Sequence, residues 1–147
     1  VTYLDILKDF PWWIWVIHII LYPLYQIIGT LKHEGAHALG AKRQGLRIVE
    51  FKYLPSRIDG RWYWGYVRFT GEANKTTLLM PYYVDATLFF GGIIAFMNRE
   101  EFWAQRTAWL LPCMILTLAL PIVDVIYNLG KWLFGNRGDF AKAFKDL

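Results

Sequence analysis

The sequence predicts a mostly α membrane protein in which three transmembrane helices carry a β-hairpin insert at the inner membrane surface. Three observations predict it. Apolar residues make up 56% of the 147 residues and aromatic ones 18%, against only 19% charged, a balance poorer in charge than average soluble domains show. The apolar residues gather into three runs of about the 20 residues that a helix needs to cross a bilayer. Between the first two runs the composition turns to β-branched and aromatic residues broken by turn chemistry. Nothing divides the chain, so residues 1–147 are read as a single membrane-embedded domain.

The first run, about residues 11–31, reads PWWIWVIHIILYPLYQIIGTL. Trp12, Trp13 and Trp15 anchor its outer end at the headgroup level, after a short mixed lead-in over residues 1–10. Pro23 kinks it, which a transmembrane helix tolerates. No strong turn comes next, so the helix is expected to continue to about Gln44 with Gly45 as its stop; two helices broken near Gly29-Thr30 are the alternative. Because this run leads straight into the polar motif described below, it is read as a span and not as a cleavable signal.

Residues 46–70 form the insert. LRIVEFKYL and RWYWGYVRFT read as strands, and PSRIDG between them carries Pro55 and Asp59-Gly60 as turn residues. Along the second strand Trp62, Trp64 and Tyr66 share one face, and Tyr63, Val67 and Phe69 the other. The second span covers about 78–97, where Gly91-Gly92 would let a neighbouring helix approach closely. A short polar loop, Asn98 to Glu101, leads to the third span at about 107–129, interrupted by Pro112 and Pro121. The tail from Lys131 is basic and amphipathic, suited to the inner interface.

Charge placement gives the orientation. Segment 42–75 holds eight basic residues (Lys42, Arg43, Arg47, Lys52, Arg57, Arg61, Arg68, Lys75) and the tail four more, against one in the lead-in and two in the 98–106 loop. The excess of Lys and Arg on cytoplasmic segments puts the N-terminus outside and the hairpin and C-terminus in the cytoplasm. The net charge of +4 is therefore accounted for by topology and by the lipid bilayer as partner, and nucleic-acid binding is not expected. Cys113 is the only cysteine, which excludes an intrachain disulfide and a CxxC metal site.

One motif carries chemistry. His33-Glu34-Gly35-Ala36-His37 places two imidazoles four residues apart, about 40° apart around a helix, so both face one point. Such a point suits Zn2+, for which histidine nitrogens are preferred ligands. Glu34 stands beside them as the catalytic base in the H-E-x-x-H pattern. His18, some 22 Å up the same helix, is too far to share the metal and is read as a packed or hydrogen-bonded histidine.

A catalytic zinc takes a third protein ligand. From Trp12 to His33 the helix advances about 31 Å, and from Thr107 to Asp124 about 26 Å, so Asp124 arrives near the depth of the histidines. Asp85, near the inner end of its span, arrives there too, and depth does not separate the two. Setting favours Asp124, because a carboxylate inside a span is a functional feature by default; Asp85 is the alternative metal ligand. Asn128 lies one turn beyond Asp124 on the same face and is a candidate for binding substrate backbone, as is Asn98.

With its H-E-x-x-H near the end of one membrane helix, its β-rich insert, and Pro121-Ile122-Val123-Asp124 on a later helix, the chain resembles the site-2 protease family of intramembrane zinc metalloproteases. The likeness covers the order of elements over roughly residues 12–130. It departs where the family often has Asn-Pro-x-x-Asp-Gly, since Val125 comes after Asp124 here. The resemblance implies a zinc metalloendopeptidase that hydrolyses peptide bonds of membrane-associated protein or peptide substrates. The alternative is a non-catalytic, metalloprotease-like subunit of a larger membrane complex. A short, aromatic-rich chain suits that reading, with a protein partner or an oligomer covering its surface.

Overall fold

The computed structural model describes residues 11–58, 60–97, 112–135 and 138–144. The lead-in, the Asn98–Glu101 loop with the candidate Asn98, and the first residues of the third apolar run lie outside the described residues. In chain order come α1 (Trp12–Ile20), α2 (Tyr22–Arg43), the strands β1 (Ile48–Lys52), β2 (Ser56–Ile58), β3 (Arg61–Tyr63) and β4 (Tyr66–Phe69), and α3 (Lys75–Met97). A third long helix, Pro112–Gly135, opens with a π-helical segment over Ile115–Ala119 and continues as α4 (Leu120–Gly135), and α5 (Gly138–Ala143) comes last. Two helices, Lys75–Met97 and Pro112–Gly135, are long and apolar enough to cross a membrane, and α1 with α2 makes a third if that bent pair counts as one span.

The bend between α1 and α2 measures 53° and has an identifiable cause. Pro23 has no N–H to give the preceding turn, so the ladder stops at Leu21, whose own N–H bonds Ile17 O, and restarts with Leu24 and Tyr25 bonding Leu21 O. The expected kink at Pro23 therefore falls two residues before it. No break occurs at Gly29-Thr30, where α2 is continuous and Thr30 Oγ1 donates to Gln26 O at 2.9 Å. The helix stops where the glycine predicts: Gly45 adopts φ 83°, its N–H bonds Lys42 O, and Leu46 N–H bonds Ala41 O, the paired bonds of a Schellman motif. His18, as expected, is hydrogen-bonded, with Nδ1 2.6 Å from the Tyr25 hydroxyl.

The insert is a hairpin ribbon broken in the middle. β1 pairs antiparallel with β4 (Phe51↔Val67, Lys52↔Tyr66) and β2 with β3 (Arg57↔Trp62); Gly60 at φ 77° serves the turn. The two long strands of the sequence reading thus become four short ones. Pro55 on one side cannot donate to a ladder. On the other side Gly65 presses onto α2, where a Cβ would fall 2.4 Å from Thr30 Cγ2 and 2.7 Å from the Lys52 carbonyl oxygen. The ribbon is pinned to the helix there, and the expected alternation of Trp62, Trp64 and Tyr66 is interrupted.

Small residues bring the helices together. At Gly40 an added Cβ would lie 3.0 Å from Thr77 Cα, and at Gly92 one would lie 2.7 Å from Thr117 Oγ1; Gly91 has open space. Gln44 ties the end of α2 to the start of α3, donating to Glu72 O and accepting from Asn74 N–H and Thr77 Oγ1. Asn74 caps α3 through Thr77 N–H at 2.8 Å. The π-helical segment sits just before Pro121, which cannot donate to Thr117 O. The ladder widens by one residue, and Leu120 N–H bonds Ile115 O.

The tail reverses direction. Beyond the expected end of the third run at residue 129, α4 runs on to Gly135. Then α5 folds back against α3 and α4, with Phe140 stacked on Tyr82 at 4.3 Å and Phe144 on Trp132 at 5.4 Å. The tail is packed against the helices.

Gly65→Ala is expected to destabilise the chain by about 1–3 kcal/mol, as overpacking does, because the Lys52 carbonyl is backbone and cannot swing aside. Hydrogen exchange in detergent should speed up in β1 and β4 while α3 and α4 keep their protection; unchanged exchange in the hairpin would contradict the pinning.

Candidate metal centre

His33 and His37 project from successive turns of α2 with ring centroids 4.9 Å apart. Each ring is held by its Nδ1. That of His37 donates to the Thr77 carbonyl at 3.0 Å, and that of His33 to Asp124 Oδ2 at 2.7 Å. Both partners are acceptors, so each Nδ1 carries a proton and Nε2 is the nitrogen turned to the site, the orientation that a metal-ligating histidine takes from its second partner.

Both Nε2 atoms face one oxygen, Asp139 Oδ2, at 3.3 Å from His33 and 3.2 Å from His37. These three atoms lie within 4.8 Å of one another and form a group that could hold a metal ion. Asp139 comes from α5, where Gly138 at φ 88° turns the chain. Burial pushes its carboxyl up, but the two imidazoles facing it outweigh burial and hold it well below the usual carboxylate range, so it is an anion at neutral pH. The Tyr82 hydroxyl donates to the same Oδ2 at 3.2 Å.

Two imidazole nitrogens that meet one carboxylate oxygen call for positive charge between them, from protons or from a metal ion. Protonating both imidazoles at Nε2 supplies it at the cost of two like charges whose rings sit 4.9 Å apart. A metal ion supplies it without that repulsion. Two imidazole nitrogens and a carboxylate oxygen are a donor set that zinc accepts, with three protein ligands and room for a fourth. On the chemistry of its donors, the group fits.

The remaining expected residues fall around this point in other roles. Asp124 is not among the three converging atoms: its Oδ2 receives His33 Nδ1, and its Oδ1 accepts from Asn128 Nδ2 at 3.0 Å. It orients the imidazole, as carboxylates behind metal-bound histidines do. Asn128 is buried, and its Nδ2 donates to the Asp124 carbonyl and to Asp124 Oδ1, so it braces that carboxylate. Asp85, the alternative ligand, is 1% exposed and paired with Lys32; its Oδ2 is buried without a hydrogen-bond partner. Glu34 is half-buried, with the Val67 backbone of β4 near its carboxylate.

No family model, curated protein or solved structure matches the chain.

Asp139 is the residue that sequence reasoning missed. The tail reads as an interfacial basic helix, and only folding shows that it returns to the histidines. Two signals were available: Gly138 stands just before it, and Asp139 is an acid in a mostly basic segment.

Metal analysis of the detergent-purified chain should find one zinc, lost in Asp139→Ala, retained in Asp85→Ala, and retained in Asp124→Asn with about 10–100-fold weaker affinity. Loss with Asp124→Ala but not with Asp139→Ala would return Asp124 to the ligand set. Lys32→Met leaves the Asp85 charge buried and unpaired, and should cost about 3–5 kcal/mol of stability. Adding Asp85→Asn should restore most of it in denaturation experiments.

Proposed function

We propose that the chain is a membrane-embedded zinc endopeptidase, as its resemblance to the site-2 protease family implies. The observation that carries the reading is the meeting of His33 Nε2, His37 Nε2 and Asp139 Oδ2 on the helix that also bears Glu34, whose carboxylate faces the hairpin. Membrane placement is supported by where the residues lie. The buried set includes Thr30, His37, Thr77, Asp85 and Asn128, while Trp12, Ile94, Ile126 and Phe134 are exposed, Phe134 by 93%. That distribution suits lipid outside and a polar site within. With the N-terminus outside, α2 descends so that the histidines lie towards its cytoplasmic end, beneath the hairpin.

His33, His37 and Asp139 would hold the zinc. Bound there, the ion supplies Lewis-acid polarisation of a peptide carbonyl and of water. Glu34 takes the proton that water gives up and passes it to the leaving nitrogen. Asp124 holds the His33 ring, and Thr77 O the His37 ring, in the tautomer that keeps both Nε2 atoms available. A peptide bond in a helix is already hydrogen-bonded and sterically covered, so the substrate must be extended where it is cut. β4 has β1 on one edge and no strand on the other among the described residues. A substrate strand added to that open edge passes Val67 and therefore Glu34.

The non-catalytic alternative keeps the same ion as a tie between α2 and the tail. It leaves the position of Glu34 without a purpose, since a structural site needs no base. Glu34→Gln separates the two. It should retain one zinc per chain and lose cleavage of a membrane-anchored peptide substrate by at least about 10²-fold. Zinc loss in the variant, or undiminished turnover, would count against the assignment; a zinc-loaded wild type that cleaves nothing would favour the structural tie.

A further inference from the structure

The third ligand of the proposed centre sits on a helix of six residues, too short to fix a carboxylate by itself. What fixes it is on α3. Tyr82 is 9% exposed, and its ring stands edge-on to His33 at 5.8 Å and stacks on Phe140, the residue after Asp139, at 4.3 Å and 24°. Its hydroxyl donates to Asp139 Oδ2 at 3.2 Å. One side chain thus touches the chain neighbour of the ligand, the ligand oxygen and one of the two imidazoles.

We propose that Tyr82 is the positioning residue of the metal centre, holding Asp139 Oδ2 at the two histidines through its hydroxyl and seating α5 through its ring. The inference rests on the metal reading of the site and is independent of proteolysis. It also assigns two separable functions. The stack with Phe140 brings the carboxylate to the site, and the hydrogen bond fixes which of its oxygens faces the imidazoles. A carboxylate that keeps the stack but loses the hydroxyl can rotate, and a ligand that rotates binds its ion more weakly. Partners behind metal ligands typically act on affinity by about 10–100-fold.

The test uses the full chain in detergent, loaded with Zn2+ and titrated against a chromophoric chelator, with Co2+ absorption as a second readout. Tyr82→Phe keeps the ring and should leave the melting temperature unchanged while weakening Zn2+ about 10-fold and altering the Co2+ spectrum. Phe140→Leu keeps the hydroxyl and should weaken Zn2+ as well. Equal Zn2+ affinity of wild type and Tyr82→Phe overturns the proposal alone. A wild type that binds neither Zn2+ nor Co2+ overturns the metal reading and the proposal with it.

Discussion

Two imidazole nitrogens and a carboxylate oxygen that meet at one point set the constraint around which this chain is built. They attract only with positive charge between them, from protons on the rings or from a metal ion. The arrangement is held from behind on every side. Thr77 O fixes the His37 ring, Asp124 the His33 ring, and Tyr82 the Asp139 carboxylate. These partners come from α3 and α4, the rings they hold from α2 and the carboxylate from α5, so the site exists only once those helices have packed together. Any metal affinity of the group is therefore coupled to folding, as it is wherever ligands gather from distant segments.

The packing that makes this convergence possible depends on a few residues whose value is what they lack. Gly40 lets Thr77 come close enough for its carbonyl to reach His37. Gly92 admits Thr117. Pro121 withholds an N–H and widens the ladder into a π segment, which rotates the later turns of the helix, including the one bearing Asp124, relative to its first turns. Such segments recur at functional sites, and here the segment ends five residues before the carboxylate that orients His33. Gly65 brings the hairpin down onto Thr30 and so puts Val67 against Glu34.

Local features were legible in the sequence and long-range ones were not. His33 and His37 meet because residues four apart on a helix must, and nothing beyond α2 is needed to predict it. Gly45 ends that helix by accepting a positive φ, Gly60 serves the hairpin turn the same way, and a proline in an apolar run predicts a bend. Asp139 could not be found by such rules. Depth along a span picked out Asp124 and Asp85 without separating them because it compares only residues inside spans, and the carboxylate that meets both Nε2 atoms arrives from the tail. Asp124 lies beside the same imidazole, on its Nδ1 side. The break of the hairpin at Gly65 escaped for the same reason, since alternation describes a strand and says nothing about the helix beneath it.

Charge bears on the kind of ion such a group could hold. Around the histidines the described residues gather Lys32 against Asp85, Asp124, Asp139 and Glu34, one positive group and four that are negative when ionised. In an apolar surrounding an uncompensated charge is far more costly than in water. With Glu34 set aside, two negative charges remain in excess. Protons on both imidazoles would remove them at the cost of two cations whose rings sit 4.9 Å apart; a divalent cation held by the three atoms would remove both without that repulsion. Glu34 would then be the carboxylate left to gain and lose a proton, near the Val67 backbone of β4.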